Sequence, residues 1–160
     1  PEKNLGNDVI HLEGDICVDT IVTAAYLFKK KDMIDIGFFD ENFFIYFLDF
    51  DFCRTVNNQK KSIIQVFDSK TIHVHGDLKV KNIFKKIFFR NYYFTFDELY
   101  YYFKINKHHQ IFNQLKKKIP NYWIKFLLNI LILRFDRSIR YIALILAFFK
   151  FKKFMKNYSN

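Results

Sequence analysis

Two carboxylates sit in a stretch of chain that is otherwise strongly apolar. In the run Gly37-Phe38-Phe39-Asp40-Glu41-Asn42-Phe43-Phe44-Ile45-Tyr46-Phe47-Leu48-Asp49-Phe50-Asp51-Phe52-Cys53, Asp49 and Asp51 occupy the second half, beside Phe, Tyr and Leu. A charge among such neighbours is costly unless it is paired, hydrogen-bonded or bound to a metal. The spacing alone favours a helix start, with Asp49 as cap and Asp51 in the first turn favoured by the dipole. Further on, His73 and His75 in Thr71-Ile72-His73-Val74-His75 offer imidazole nitrogens, although a lone histidine on a strand is more often structural than a ligand. Cys17 and Cys53 have neither CxxC spacing nor further cysteines to complete a metal cage, which points to a reducing cytosolic compartment.

The elements that must position these groups alternate in type. Val18 to Phe28 is rich in β-branched residues and reads as a buried strand, ended by Lys29 to Lys31. A short helix over Asp32 to Ile36 stops at Gly37, and a second is predicted over Asp49 to Asn58. Ser62 to Phe67 and Thr71 to His75 are strand candidates, separated by the turn at Asp68-Ser69 and closed by Gly76. This alternation predicts an α/β fold as far as residue 76. From Leu78 the pattern is helical, with Phe84, Ile87, Phe88, Tyr92, Phe96, Leu99 and Phe103 recurring every three or four residues. The composition shifts near His108 to Lys118, and Pro120 is expected to separate a tail. The chain is thus divided into residues 1–105 and a basic, apolar helical tail over 106–160.

A hydrophobic content of 51% over 160 residues excludes a largely disordered chain, and a formal charge of +10 favours anionic partners such as nucleotides, phospholipid surfaces or nucleic acid. No nucleic-acid partner is expected. The lysines gather in the tail and around residues 79–86 instead of interleaving with aromatics on one sheet face. The chain begins at Pro1 without a charged-then-apolar leader, so a fragment is expected. In the tail, the apolar runs Phe126 to Leu133 and Tyr141 to Phe149 fall short of the roughly 20 residues that cross a bilayer. Flanked by Trp123 and by Lys and Arg clusters, they suit helices lying among lipid headgroups, where each basic side chain contributes about 1 kcal/mol with anionic lipid. The alternative is a helical hairpin that completes a soluble core. A peripheral position on the inner face of the cell membrane follows from the first of these.

The segment around Asp49 resembles a region of family 2 glycosyltransferases in which Gly-Gly-Phe-Asp-Glu-x-Phe-Phe-x-Tyr-x leads into Glu-Asp-x-Asp-Leu-Cys. Gly37, Phe39, Asp40, Glu41, Phe43, Phe44, Tyr46, Asp49, Asp51 and Cys53 fall at matching positions. Leu48 stands where the family usually has an acid. Upstream, Val18-Asp19 and Thr23-Ala24-Ala25 resemble the family's Val-Asp-Trp-x-x-Gly-Ala strand. Downstream, His73-Val74-His75-Gly76 resembles its His-x-x-Gly motif, and Arg90-Asn91-Tyr92-Tyr93 an Arg-Asn-rich helix. The likeness spans about residues 5–105.

It implies the C-terminal, acceptor-side part of a GT-A (Rossmann-like) domain, in an enzyme of the kind that builds cell-surface polysaccharide. Such an enzyme moves a sugar from a nucleotide-sugar donor to a glycan or lipid-linked acceptor with inversion. Under this resemblance Asp49 is the general base, Asp51, Arg90 and Asn91 contact the acceptor, and His73 ligates a divalent metal, Mg²⁺ or Mn²⁺, on the donor diphosphate. It also implies a nucleotide-binding half with an Asp-x-Asp motif upstream. The 160-residue piece is therefore not expected to hold donor or catalyse alone, and a non-catalytic, membrane-surface remnant of such an enzyme is the alternative.

Overall fold

The computed structural model describes residues 14–21, 26–70, 72 and 82–158. Strand β1 (Ile16–Cys17) is followed by helix α1 (Lys30–Ile36), which ends where Gly37 takes a left-handed φ of 91°; its N–H returns to the carbonyls of Met33 and Ile34. Only glycine adopts that conformation without cost, so the sequence stop and the structural stop coincide. Helix α2 (Leu48–Asn58) comes next, then strand β2 (Ile64–Gln65), antiparallel to β1 with Ile16 opposite Gln65 and Cys17 opposite Ile64. Three long helices complete the chain: α3 (Ile83–Lys104), α4 (His108–Leu131) and α5 (Phe135–Tyr158). The side chain of Asn82 caps α3 by accepting from the amides of Phe84 and Lys85.

The core lies between α3 and α5, with α4 packed against both. Phe96, Leu99 and Tyr100 of α3 meet Ala147 and Phe151 of α5, and Phe43 closes the cluster from the loop ahead of α2. Ile119 of α4 joins Ile145 and Phe148 in a second cluster. Ala143 and Ala147 are fully buried one helical turn apart, small enough to let α5 approach its neighbours closely. Each large side chain buried in this way contributes about 1.5–3 kcal/mol. Because Phe43, Phe96 and Phe151 share one cluster, the core crosses the sequence boundary at residues 105 and 106.

The expected α/β alternation is corrected in part. Among the described residues the protein is mostly helical, with one small two-stranded antiparallel sheet. Within the run expected to be a strand, residues 18–21 and 26–28 are not strand, and residues 22–25 lie outside the described ones. A β-branched run needs a partner ladder, and β2 offers two residues, already used by Ile16 and Cys17. The Val18 amide adds one more bond, to Ile63 O at 2.9 Å. The described residues on either side of 22–25 meet α2 instead: Asp19 O accepts from Asn57 Nδ2, Tyr26 stacks on Phe52, and the Tyr26 hydroxyl donates to Ile21 O. Of the second strand candidate, residue 71 and residues 73–75 lie outside the described residues.

Pro120 does not separate the tail either, but lies inside α4. An interior proline forfeits a hydrogen bond and crowds the preceding turn, at roughly 3 kcal/mol. Packing on both sides offsets this, since Ile119 is buried against Ile145 and Phe148, and Tyr122 packs beside them. The breaks fall at Asn106 and Leu133, both left-handed, with φ of 57° each. Contacts of Phe112 with Phe148 and of Tyr122 with Tyr141 set α4 and α5 antiparallel. Among the described residues no helix is long and apolar enough to cross a membrane.

Candidate functional site

The segment that carries the resemblance is folded as one anchored unit. After Gly37, Phe38 is also left-handed (φ 62°) and directs the chain into a turn in which the Asn42 amide and Nδ2 donate to Asp40 Oδ1 at 3.0 and 2.8 Å. Phe43 enters the core, edge-on to Tyr100. Three successive amides then converge on one carboxylate of α3. Phe44 N lies 3.2 Å from both Asp97 oxygens, and Ile45 N and Tyr46 N lie 3.1 and 2.9 Å from Oδ2. Asp97 is 0% exposed, so these amides supply the hydrogen bonds that water would otherwise give. Burial pushes its carboxyl upward, while the three amides and the Lys150 charge pull it back.

Phe47 enters α2 with φ 60°, a conformation that costs a residue with Cβ on the order of 1–3 kcal/mol. Its ring is held among Phe50, Phe94 and Tyr101, which fixes the strained residue immediately before Leu48 and Asp49. The helix therefore begins one residue earlier than the sequence suggests. Phe47 is the cap, without a side-chain hydrogen bond, and Asp49 lies in the first turn, still favoured by the dipole.

Asp40 and Asp51, from opposite ends of the segment, meet on Lys104 at the end of α3. Lys104 Nζ donates to Asp40 Oδ2 at 2.8 Å and to Asp51 Oδ2 at 2.7 Å, and the Tyr100 hydroxyl donates to Asp40 Oδ2 at 3.0 Å. Burial alone would raise Asp40, but the Lys104 ammonium and Asn42 hold it down at about 2. Burial likewise opposes the charge on Lys104, and the two carboxylates override it, so its pKa is raised. The Tyr100 phenol is pushed up by burial and by the Asp40 charge. Asp97, Tyr100 and Lys104 stand three and four residues apart, so one face of α3 holds both the loop and the start of α2.

The residues nominated from sequence occupy different settings. Asp49 is half-buried in the first turn of α2, near enough for its charge to add to the upward shift of the Tyr26 phenol, which burial and the contact with Cys53 dominate. Asp51 is 5% exposed and committed to Lys104, tying α2 to α3. Leu48, in the family's acidic position, packs against the core cluster of Phe43, Phe96 and Leu99. Arg90 is exposed on α3, and Asn91 donates to Ile87 O in its own helix. Both sit about one turn before Tyr93 and Phe94, which stack on Phe44 and abut Tyr46 and Phe47. His73 lies outside the described residues.

Among the described residues no group of three or more His, Cys, Asp or Glu side chains is arranged to hold a metal ion. Beside Lys104 an open cleft of about 320 Å³ is lined by Tyr100, Phe103, Asn106, Phe154 and Tyr158, and Asp49, Asp51, Arg90 and Asn91 do not line it. Sequence reasoning missed Asp97, Tyr100 and Lys104. The available signal was a carboxylate and an ammonium seven residues apart on one face of an otherwise aromatic helix. No protein-family model, curated protein or solved structure matches the chain.

Proposed function

We propose that this chain is the acceptor-side part of a nucleotide-sugar-dependent, inverting glycosyltransferase of the GT-A type, with Asp49 as general base. One observation carries the reading. Within the segment that resembles family 2 glycosyltransferases, Asp49 stands half-buried in the first turn of α2, flanked in sequence by a core-packed Leu48 and a Lys104-bound Asp51, and behind a loop clamped by Asp97. A carboxylate positioned by rigid neighbours is what general base catalysis requires. In the proposed step the acceptor hydroxyl oxygen attacks the anomeric carbon while the bond from that carbon to the nucleotide phosphate breaks. Asp49 takes the hydroxyl proton, and the nucleotide leaves with the bonding pair. The fold-level part of the reading requires a nucleotide-binding half, supplied by residues ahead of Pro1 in a longer protein.

The test is sugar transfer by the complete reading frame over a panel of nucleotide sugars. Asp49→Asn is expected to lower kcat by about 10²–10⁴-fold with little change in helicity. An Asp49→Asn enzyme as active as the parent removes the assigned base.

A second reading is favoured by Leu48. With a packed leucine in the acidic position, the chain serves as a non-catalytic binding piece that keeps the fold of such an enzyme. Absence of transfer to any acceptor by the complete frame, with its helicity intact, selects this reading.

A further inference from the structure

The turn between α4 and α5 exposes an apolar surface that the rest of the fold does not cover. Ile124, Leu127, Leu128 and Leu131 stand three, four and seven residues apart, so they form one stripe along α4. Tyr122 and Phe126 mark the side of α4 that faces α5, through the Tyr141 ring and the Ser138 hydroxyl. The stripe runs into the turn, where Leu131, Ile132 and Leu133 are 77, 62 and 73% exposed. Contiguous apolar exposure of this kind marks an interaction surface.

The charge around the patch chooses its partner. Residues 105–160 contain twelve Lys and Arg and a single acid, Asp136, whereas residues 1–104 carry fourteen basic and fifteen acidic side chains. The whole positive excess therefore belongs to the α4–α5 hairpin. At its turn, four exposed basic side chains, Lys125, Arg134, Arg137 and Arg140, rim the apolar surface against one exposed acid, Asp136. The Asn129 side-chain amide, half-buried beside the stripe, donates to Lys125 O inside its own helix. An apolar centre with a basic rim and a tryptophan at its edge complements an anionic bilayer interface.

We propose that the α4–α5 turn is a lipid-docking tip. It inserts shallowly into an anionic membrane surface, with Leu131, Ile132 and Leu133 below the headgroups and the basic rim among the phosphates. The inference is independent of glycosyl transfer. It also sets an orientation: Lys152 and Lys153 lie some 17 residues along α5 from Phe135, roughly 26 Å by helical rise. A hairpin that docks by its turn holds them beyond the ~10 Å over which salt lets charges act, whereas one lying along the surface brings them into contact.

Trp123, the chain's only tryptophan, stands eight residues from Leu131, about 12 Å by helical rise, so the reporter is moved to the tip in the double variant Trp123→Phe, Ile132→Trp. This full chain would be mixed with vesicles of phosphatidylcholine alone and of phosphatidylcholine with phosphatidylglycerol in equal parts, following sedimentation and tryptophan emission. Binding and a blue shift are expected on the anionic vesicles, weakening as salt rises. The double variant Leu131→Ser, Leu133→Ser should bind at least about tenfold more weakly. Each of Arg134→Gln, Arg137→Gln and Arg140→Gln should cost about fivefold, and Lys152→Gln with Lys153→Gln should cost nothing measurable.

Several results would overturn the proposal. One is an unshifted emission from the tip reporter on both vesicle types. Another is binding that survives the leucine variants and is lost with the two lysines. A third is a lipid-free dimer, abolished by the leucine variants, with no vesicle binding, which would give the patch to a second copy of the chain. Where a leucine or arginine variant loses helicity, quenching of the tip reporter by brominated lipid decides the matter alone, with shallow quenching expected and none refuting it.

Discussion

Removing the Asp97 carboxylate should unfasten the segment that carries Asp49. In Asp97→Ala the amides of Phe44, Ile45 and Tyr46 lose their acceptor together. Hydrogen bonds to a charged group contribute about 1.5–3 kcal/mol each. Phe44 and Ile45 are exposed, so their freed amides can take up water, and the expected loss falls to about 3–4 kcal/mol. That is a large share of the roughly 5–15 kcal/mol that holds a domain folded. Asp97→Asn differs, because one oxygen keeps the Ile45 and Tyr46 bonds while the cost of burying a charge disappears. The two effects offset, and about 1 kcal/mol or less is expected. Burial raises the folded pKa of Asp97, so its contribution to stability is fully present below the unfolded carboxylate value and lost as pH rises through the folded one. The parent should therefore gain on Asp97→Asn as the pH falls. Urea titration followed by circular dichroism measures both variants, and hydrogen exchange at residues 44–46 locates the effect. An Ala variant within about 0.5 kcal/mol of the parent would refute the clamp. So would equal losses for Ala and Asn.

Three further outcomes are expected from the same geometry. Lys104→Met leaves Asp51, 5% exposed, without its cation; allowing for the partly exposed Lys104, thermal melts should show a loss of about 2–4 kcal/mol. Asp40 is held at about 2, so its contribution is present above the ordinary value near 4 and lost as pH falls through about 2. The stability gap between the parent and Asp40→Asn should narrow across that window, as followed by denaturation at stepped pH. Phe151→Ala removes a fully buried ring between α3 and α5 and should cost about 3–5 kcal/mol in denaturant titration.

What was legible in the sequence was local. Gly37 stops α1 because a left-handed residue is needed there, and α3 follows a period that Phe88, Tyr92, Phe96, Leu99 and Phe103 repeat without interruption. What was not legible depends on residues far apart in the chain. A run such as Val18 to Ile21 specifies a strand only where a partner ladder exists, and β2 is two residues long. Pro120 breaks an isolated helix, but the packing of Ile119 and Tyr122 against α5 overrides that preference. In the site, the types of Asp49 and Asp51 could be read but their fates could not. Asp51 turns inward because Lys104, 53 residues later, waits on the facing helix. No local pattern carries that information.

The two ends of the helical bundle have separate tasks under these readings. Phe103 packs on His108 and on Tyr158, so the end of α3, the start of α4 and the end of α5 lie together, opposite the α4–α5 turn. The 24 residues of α4 span about 36 Å. With the turn seated in lipid, the Asp40–Lys104–Asp51 cluster then stands as much as about 36 Å from the membrane surface. The clamped loop meets α3 at Tyr93 and Phe94, some ten residues or about 15 Å nearer. A hydroxyl directly attached to a lipid headgroup does not reach that height, whereas the free end of a glycan several sugars long does. If the chain serves a transferase, its acceptor is therefore the distal end of a growing, lipid-linked glycan. On anionic vesicles, the complete enzyme should elongate long lipid-linked acceptors in preference to single-sugar ones. Equal rates on both would mean that the bundle does not stand on its tip during transfer.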